Sequence, residues 1–279
     1  MVPSSLKAKQ AMSKQTDKIR LAVLISGGGT NLQAMIDRSA AGSMSAEVAV
    51  VISDRPEAHG LDRARKAGIP AFCVDYKSYM SREIRDSELP MDLDELDGRQ
   101  KILKGADPLS RRERLARLTL AEHEIIGIIA AHHADYVCLA GFMRLVTPYF
   151  IGHFNSGGVR RVLNIHPALL PSFPGQHGYE DTFGYGCKWG GITVHFVDEG
   201  EDTGPIIAQA VYPIWPGDDT EAVRARGLQL EYEIYPQVVN WVAGGRIEIE
   251  KLPDGRERVL VTDPEYPAIV RTWVRKALA

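Results

Sequence analysis

Leu21-Ala22-Val23-Leu24-Ile25-Ser26-Gly27-Gly28-Gly29-Thr30-Asn31 reads as a short apolar strand, a glycine turn and the first residues of a helix. The helix follows from Leu32, Met35 and Ile36, which recur at helical spacing beyond Asn31. Further along, an apolar stretch at 48–52, a helix over 61–67 and a strand at 71–74 repeat the unit. The alternation resumes with a helix over 121–133 and a strand at 136–140, then strands at 161–165, 191–197 and 206–213. A long helix is expected over 220–242, with Val223, Leu230, Ile234 and Val238 on its apolar positions. Strands that are apolar throughout need cover on both faces, so the pattern predicts an α/β fold: a Rossmann-like, mostly parallel sheet with helices on both faces.

The alternation breaks once. Seven acidic residues fall in 82–97 and seven basic ones in 99–117, with few apolar residues between them. This composition predicts a charged surface insertion at about 80–119, solvated and helical only near its end. The flanks add a polar extension at 1–19 and a C-terminal extension at 251–279. After Gly244-Gly245, a hairpin of 247–249 with 259–261 is expected around Asp254-Gly255, then an amphipathic helix over 267–278.

Across 279 residues the net charge is −3, without the basic excess that phosphate-backbone binders carry, so no nucleic-acid partner is expected. The longest apolar run, 125–131, is far too short for a membrane span, and the first twenty residues have no signal-peptide core. Cys73, Cys138 and Cys187 form no C-x-x-C. These features predict a cytoplasmic protein without membrane attachment.

Three constellations carry chemistry. The glycine turn at a helix N-terminus offers backbone N–H groups and the Thr30 hydroxyl to an anion, although a tight turn alone would look the same. No Gly-Lys-Ser/Thr follows it, and Leu32 occupies the third position of a dinucleotide glycine fingerprint. In Leu163-Asn164-Ile165-His166-Pro167 the amide and the imidazole are two residues apart, on one face at a strand's end, where α/β sheets bind ligands. A third segment, 193–205, places Asp198, Glu199, Glu201 and Asp202 in a loop after a strand that carries His195. One of these carboxylates could orient or charge a nearby imidazole, and spacing alone does not choose which. No metal-ligand spacing occurs, so no metal is expected; His132 and His133 read as surface or helix-end residues.

Together with Ala-Gly-Phe-Met-Arg at 140–144, Pro-Ala-Leu-Leu-Pro-Ser-Phe-Pro-Gly at 167–175, Glu-Asp-Thr-Gly-Pro-Ile-Ile at 201–207 and Glu231 before Ile234-Tyr235-Pro236, these segments resemble the glycinamide ribonucleotide formyltransferases, folate-dependent enzymes of purine synthesis. The resemblance covers roughly 20–250 and implies a formyltransferase fold and catalytic domain there. It implies attack of the glycinamide amine on the formyl group of 10-formyltetrahydrofolate, the co-substrate. Asn164 and His166 would hold the oxyanion, while Asp202 would keep His166 protonated and help move the amine's proton. Gly29, Thr30 and Asn31 would cradle the ribonucleotide phosphate and Glu231 would receive the cationic amine. Arg144, Leu145 and Val146 would flank the pterin, with His195 and Asp198 also on the folate side. The partners implied are small-molecule substrates, and the unit a monomer or homodimer.

Three segments depart from the family pattern: the insertion, expected to be surface rather than site; Leu228, where a polar residue can occur; and 178–189. A formyltetrahydrofolate deformylase would use a similar Asn, His and Asp set on water; the short stretch before the first strand and the phosphate loop argue against it. A methionyl-tRNA formyltransferase would need a C-terminal barrel larger than the residues beyond 250. A non-catalytic nucleotide-binding module would share the sheet and the loop but not the Asn164, His166 and Asp202 set.

Overall fold

The computed structural model describes residues 18–279. Most of the polar extension expected at 1–19 therefore lies outside the described residues. The chain begins β1 (Ile19–Ile25), α1 (Thr30–Ala40), β2 (Ala46–Ser53), α2 (His59–Lys66) and β3 (Ala71–Cys73). There follow α3 (Tyr76–Met80), α4 (Leu93–Arg99), α5 (Pro108–Ala131), β4 (Tyr136–Leu139), α6 (Pro148–Phe154) and β5 (Val162–His166). The second half holds α7 (Gly178–Gly184), β6 (Trp189–Phe196), β7 (Ile206–Pro213) and α8 (Thr220–Ala243), then β8 (Ile247–Lys251), β9 (Glu257–Val261) and α9 (Tyr266–Leu278).

Seven strands form one sheet in the order β3-β2-β1-β4-β5-β6-β7. Pairing is parallel from β3 through β5 and antiparallel for β5 with β6 and β6 with β7. The chain leaves β1 toward β2 and β3, then returns to lay β4 on the other side of β1. That reversal opens a crevice at the carboxyl ends of β1 and β4, the usual ligand position in such sheets. Side chains alternate across the pleat: Leu21, Val23 and Ile25 enter one core with Leu32 and Met35 of α1 and the apolar face of α8. Ala22 and Leu24 enter the other, with α5 and α6.

The expected surface insertion is instead a packed helical unit. Leu93, Leu96, Leu103, Leu115 and Leu118 are buried in the second core. The acidic and basic runs are complementary halves: Arg111 donates to both oxygens of Asp97 at 2.6 and 2.7 Å, and Arg112 pairs with Asp94. With opposite charges folded on each other, the leucines bury one face and α5 extends back to Pro108, where Asp107 caps it. His132, at the other end, places Nδ1 2.8 Å from the Ile128 carbonyl.

The C-terminal extension is docked on the main domain. Trp273 and Ala277 are buried, Trp241 stacks edge-on with Trp273, and its indole N–H donates to Asp263 at 2.8 Å.

Candidate active site

A cavity of about 540 Å³ fills the crevice, within the usual range for a small-molecule site. Its walls come from the turn after β1, the loop after β4, the end of β5, the end of β6 with the loop beyond, and one face of α8. All twelve residues expected from the sequence line it: Gly29, Thr30, Asn31, Arg144, Leu145, Val146, Asn164, His166, His195, Asp198, Asp202 and Glu231.

Register explains the central group. Asn164 lies opposite His195 in the β5–β6 ladder, and His166 follows two residues on, on the same face. Asp202 is the acid that reaches them. Its Oδ1 accepts from the Asn164 amide at 3.3 Å and lies 3.5 Å from His195 Nε2. Its Oδ2 accepts from the Gly175 N–H at 2.8 Å and lies 3.3 Å from His166 Nδ1. Two of the non-glycine residues with left-handed backbone sit here, Asp202 at φ 53° and Phe173 at φ 55°. Such strain persists only where the surroundings impose it, and it clusters at functional sites.

The ring nitrogens are set by their partners. His166 Nε2–H donates to the Phe173 carbonyl at 2.7 Å, which can only accept, so the neutral ring presents a lone pair at Nδ1 toward Asp202. His195 Nδ1–H donates to the Phe196 carbonyl at 2.9 Å, which leaves Nε2 to accept from the Asn164 amide at 3.2 Å. Burial pulls the His166 pKa below its ordinary value, and the Asp202 charge and the Phe173 carbonyl oppose this without reversing it. Asp202 would be pushed up by burial, but the neighbouring His195 and His166 imidazoles and the Gly175 N–H hold it below the usual carboxylate range. Burial and the Asp202 charge thus act on the His166 proton in opposite directions.

At the other end, Gly29 caps α1 at φ 68° with no side-chain cap, leaving the first N–H groups of an eleven-residue helix without intrahelical partners. A Cβ on Gly29 would stand 2.7 Å from Gly60 Cα, and one on Gly60 would stand 2.3 Å from Ile25 Cδ1. Gly60 N–H also donates to the Gly27 carbonyl at 3.0 Å. The loop thus keeps its shape by backbone-to-backbone contact with α2, a role for Gly60 that the sequence reading missed.

Glu231 sits beside Asn31. It lines the cavity, but its carboxylate accepts from Asn31 and from the Tyr179 hydroxyl, and burial pushes its pKa up. Two neutral donors, Asn31 and Tyr179, hold its carboxyl group in place on the cavity wall. Orienting the Asn31 amide this way leaves Asn31 Oδ1 buried and unpartnered among the described residues. Tyr179 fits against α8 only because Gly227 lacks a side chain: a Cβ there would lie 2.3 Å from the ring. A glycine in a helix interior costs about 1 kcal/mol against alanine, so it is a signal the sequence carried.

On the opposite wall, Arg144 is more than a flanking residue. Its Nε donates to buried Asp54 at 2.6 Å and its guanidinium lies 5.1 Å over the Tyr76 ring. Ser26 ties the two main loops, donating its N–H to the Gly141 carbonyl at 3.1 Å and accepting from the Met143 N–H at 2.8 Å. Ile102 of the inserted unit lines the cavity as well, contrary to the expectation that the insertion stays away from the site. No group of three or more metal-ligating side chains occurs among the described residues, and no helix among them is long and apolar enough to cross a membrane.

The formyl transferase profile matches residues 19–105 and 94–239. The phosphoribosylglycinamide formyltransferase of Escherichia coli K12 is 34% identical over 233 residues, covering 84% of this chain and 91% of that protein. The trifunctional purine biosynthetic protein adenosine-3 of Drosophila melanogaster is 38% identical over 244 residues, 87% of this chain but only 15% of the relative's length. Among solved structures, glycinamide ribonucleotide transformylase 1 from Symbiobacterium toebii superposes with TM-score 0.68 at 38% identity, covering 89% of this chain and 96% of that one. A formyltetrahydrofolate deformylase from Pseudomonas syringae shares the fold with TM-score 0.63 at 23% identity, over 88% of this chain and 66% of its own. With the sheet, the crevice and the paired Asn164 and His166 in place, the chain belongs to the formyl transferase family.

Proposed function

We propose that this protein transfers the formyl group of 10-formyltetrahydrofolate to the amine of glycinamide ribonucleotide, a step of de novo purine biosynthesis. One observation carries the reading: a single cavity joins an open helix N-terminus to a carboxylate that touches both an amide and an imidazole. The likeness to phosphoribosylglycinamide formyltransferases over most of the chain supports it.

In this reading Gly29, Thr30 and Asn31 hold the phosphate with backbone N–H groups and the helix dipole. Asn31 Oδ1, oriented by Glu231, accepts an N–H or O–H of the ribonucleotide and so gains the partner it lacks. Arg144, Leu145, Val146, His195 and Asp198 form the folate side. The amine lone pair attacks the formyl carbon and the C=O electrons move to oxygen. The Asn164 amide as donor and His166 as imidazolium stabilise that oxyanion, and a preorganised donor is worth about 3–4 kcal/mol at comparable sites. The proton released by the attacking amine passes through water to the pair formed by Asp202 and His166. The imidazolium formed there adds positive charge beside the oxyanion. As the bond from carbon to the folate nitrogen breaks, the carbonyl re-forms and that nitrogen takes the proton.

The working unit is a cytoplasmic monomer or homodimer acting on small molecules. Folate absorbance followed with and without the ribonucleotide tests the reading. Turnover that requires the ribonucleotide supports transfer, whereas equal folate release in its absence makes the protein a hydrolase.

A further inference from the structure

We propose that the inserted unit builds one wall of the folate end of the cavity, with Ile102 a specificity-determining contact and Arg99 a positioning residue for the loop that carries Asp202. The proposal rests on the folate-dependent reading of the site and deepens it.

Ile102 is held from both sides. The Gln100 side-chain oxygen accepts from the Ile102 N–H at 3.1 Å and the Leu103 N–H at 2.8 Å, closing a tight turn after α4. Leu96 before the turn and Leu103 after it are buried, which anchors the turn against the second core. Ile102 itself is partly buried on that core, whose buried members include Val146 and Val197, and all three line the cavity. The phosphate loop lies on the other core's side, where Leu32 of α1 is buried. The apolar wall containing Ile102 therefore faces the end remote from the phosphate, and it suits a flat conjugated ring such as a pterin or aminobenzoyl group. A ligand there completes the burial of a side chain whose backbone is already ordered, so little conformational entropy remains to be lost.

Arg99 acts on the same end through the backbone. Its Nη2 donates to Glu199 Oε1 at 2.8 Å, linking the end of α4 to the loop 198–203. Within that loop, Asp198 Oδ1 accepts from the Gly200 N–H at 3.0 Å and the Thr203 hydroxyl at 2.7 Å. These bonds shape the loop internally, and Arg99 ties it to the inserted unit. An ion pair this exposed adds little to global stability. Its effect is local, on a loop whose Asp202 is held at φ 53°.

The test uses the full chain and the variants Ile102→Ala, Arg99→Ala, Arg99→Lys and Glu199→Ala. Calorimetry with tetrahydrofolate, steady-state KM values for both substrates and deuterium uptake of residues 198–203 are the readouts. Ile102→Ala should weaken tetrahydrofolate binding by about fivefold to tenfold, the scale of a partly buried aliphatic truncation, and leave the ribonucleotide KM unchanged. Arg99→Ala should raise the folate KM severalfold, lower kcat by far less than Asp202→Asn does, and speed deuterium uptake in the loop, and Arg99→Lys should restore part of each. The double variant with Glu199→Ala should be no worse than either single one. Unchanged tetrahydrofolate affinity in Ile102→Ala, or equal rises in both KM values, would overturn the wall. Unchanged loop exchange in Arg99→Ala would overturn the positioning role. A wild-type protein that binds tetrahydrofolate but transfers no formyl group from 10-formyltetrahydrofolate to the ribonucleotide would instead refute the proposed function, and the binding comparison would still decide the wall.

Discussion

Asp202 Oδ2 stands 3.3 Å from Nδ1 of His166, facing the ring nitrogen that carries no proton when the imidazole is neutral. Burial holds His166 below its ordinary pKa of 6.5, and the Asp202 charge is the main force opposing that shift. Removing the charge while keeping the shape should let burial act further. The ring Cε1 proton of His166, followed by NMR against pH, should titrate below 6.5 in the wild type and lower again in Asp202→Asn. A midpoint that stays put or rises in the variant would mean that Asp202 does not bear on the imidazole.

Gly60 is invisible to a motif search, yet it sets the shape of the glycine turn after β1. In Gly60→Ala the new methyl would meet Ile25 Cδ1 at 2.3 Å, Gly29 Cα at 3.2 Å and the Gly27 carbonyl at 3.3 Å. The side chain can yield, but the two backbone neighbours belong to the loop. The ribonucleotide KM should rise about tenfold and stability should fall by about 1–3 kcal/mol, while tetrahydrofolate affinity stays at the wild-type value. Gly127→Ala, with nothing within 4 Å of its Cβ in helix α5, serves as the control and should leave both KM values unchanged. Equal effects of the two substitutions on ribonucleotide binding would remove the proposed role of Gly60.

Glu122 gives the fold a pH dependence separate from the site. It is fully buried, accepts from the Thr147 N–H at 2.7 Å and from the Thr147 hydroxyl, and burial raises its pKa to about 8. A carboxyl raised in the folded state contributes stability that is present below its unfolded value of 4.5 and lost as pH rises to about 8. Glu122→Gln removes this titration, and the amide can still accept from the Thr147 N–H and donate to its hydroxyl. Chemical denaturation across pH 4–9 should therefore show the variant gaining on the wild type between about 4.5 and 8, by on the order of a few kcal/mol. Parallel stability curves across that range would contradict it.

The strands and helices on either side of the crevice were legible because their apolar residues recur at clean periods of two or 3.6. Asn164 and His166 were legible for the same reason, since strand alternation alone puts them on one face. The choice of Asp202 among four acids was not open to spacing, because it depends on a left-handed backbone that swings one carboxylate toward β5. Tyr179 and Ile102 were missed because each reaches the cavity from a short helix or turn with no periodic signature. The packing of the inserted unit is hidden from composition, because its charge density does not mean solvation. Its acids and bases neutralise one another across the fold, as Asp97 and Arg111 do, and this pairing is a property of tertiary structure. Leu93 and Leu96, three apart, were the trace of the buried face.

The most direct measurement is a single-turnover experiment with a labelled formyl group on 10-formyltetrahydrofolate, glycinamide ribonucleotide in excess, and either wild type or Asp202→Asn. The label should appear on the ribonucleotide with the wild type. It should transfer at least about a hundredfold more slowly with the variant, the scale of a lost acid–base partner, while tetrahydrofolate binding is retained. Label released as formate, or equal transfer rates for the two proteins, would contradict the account.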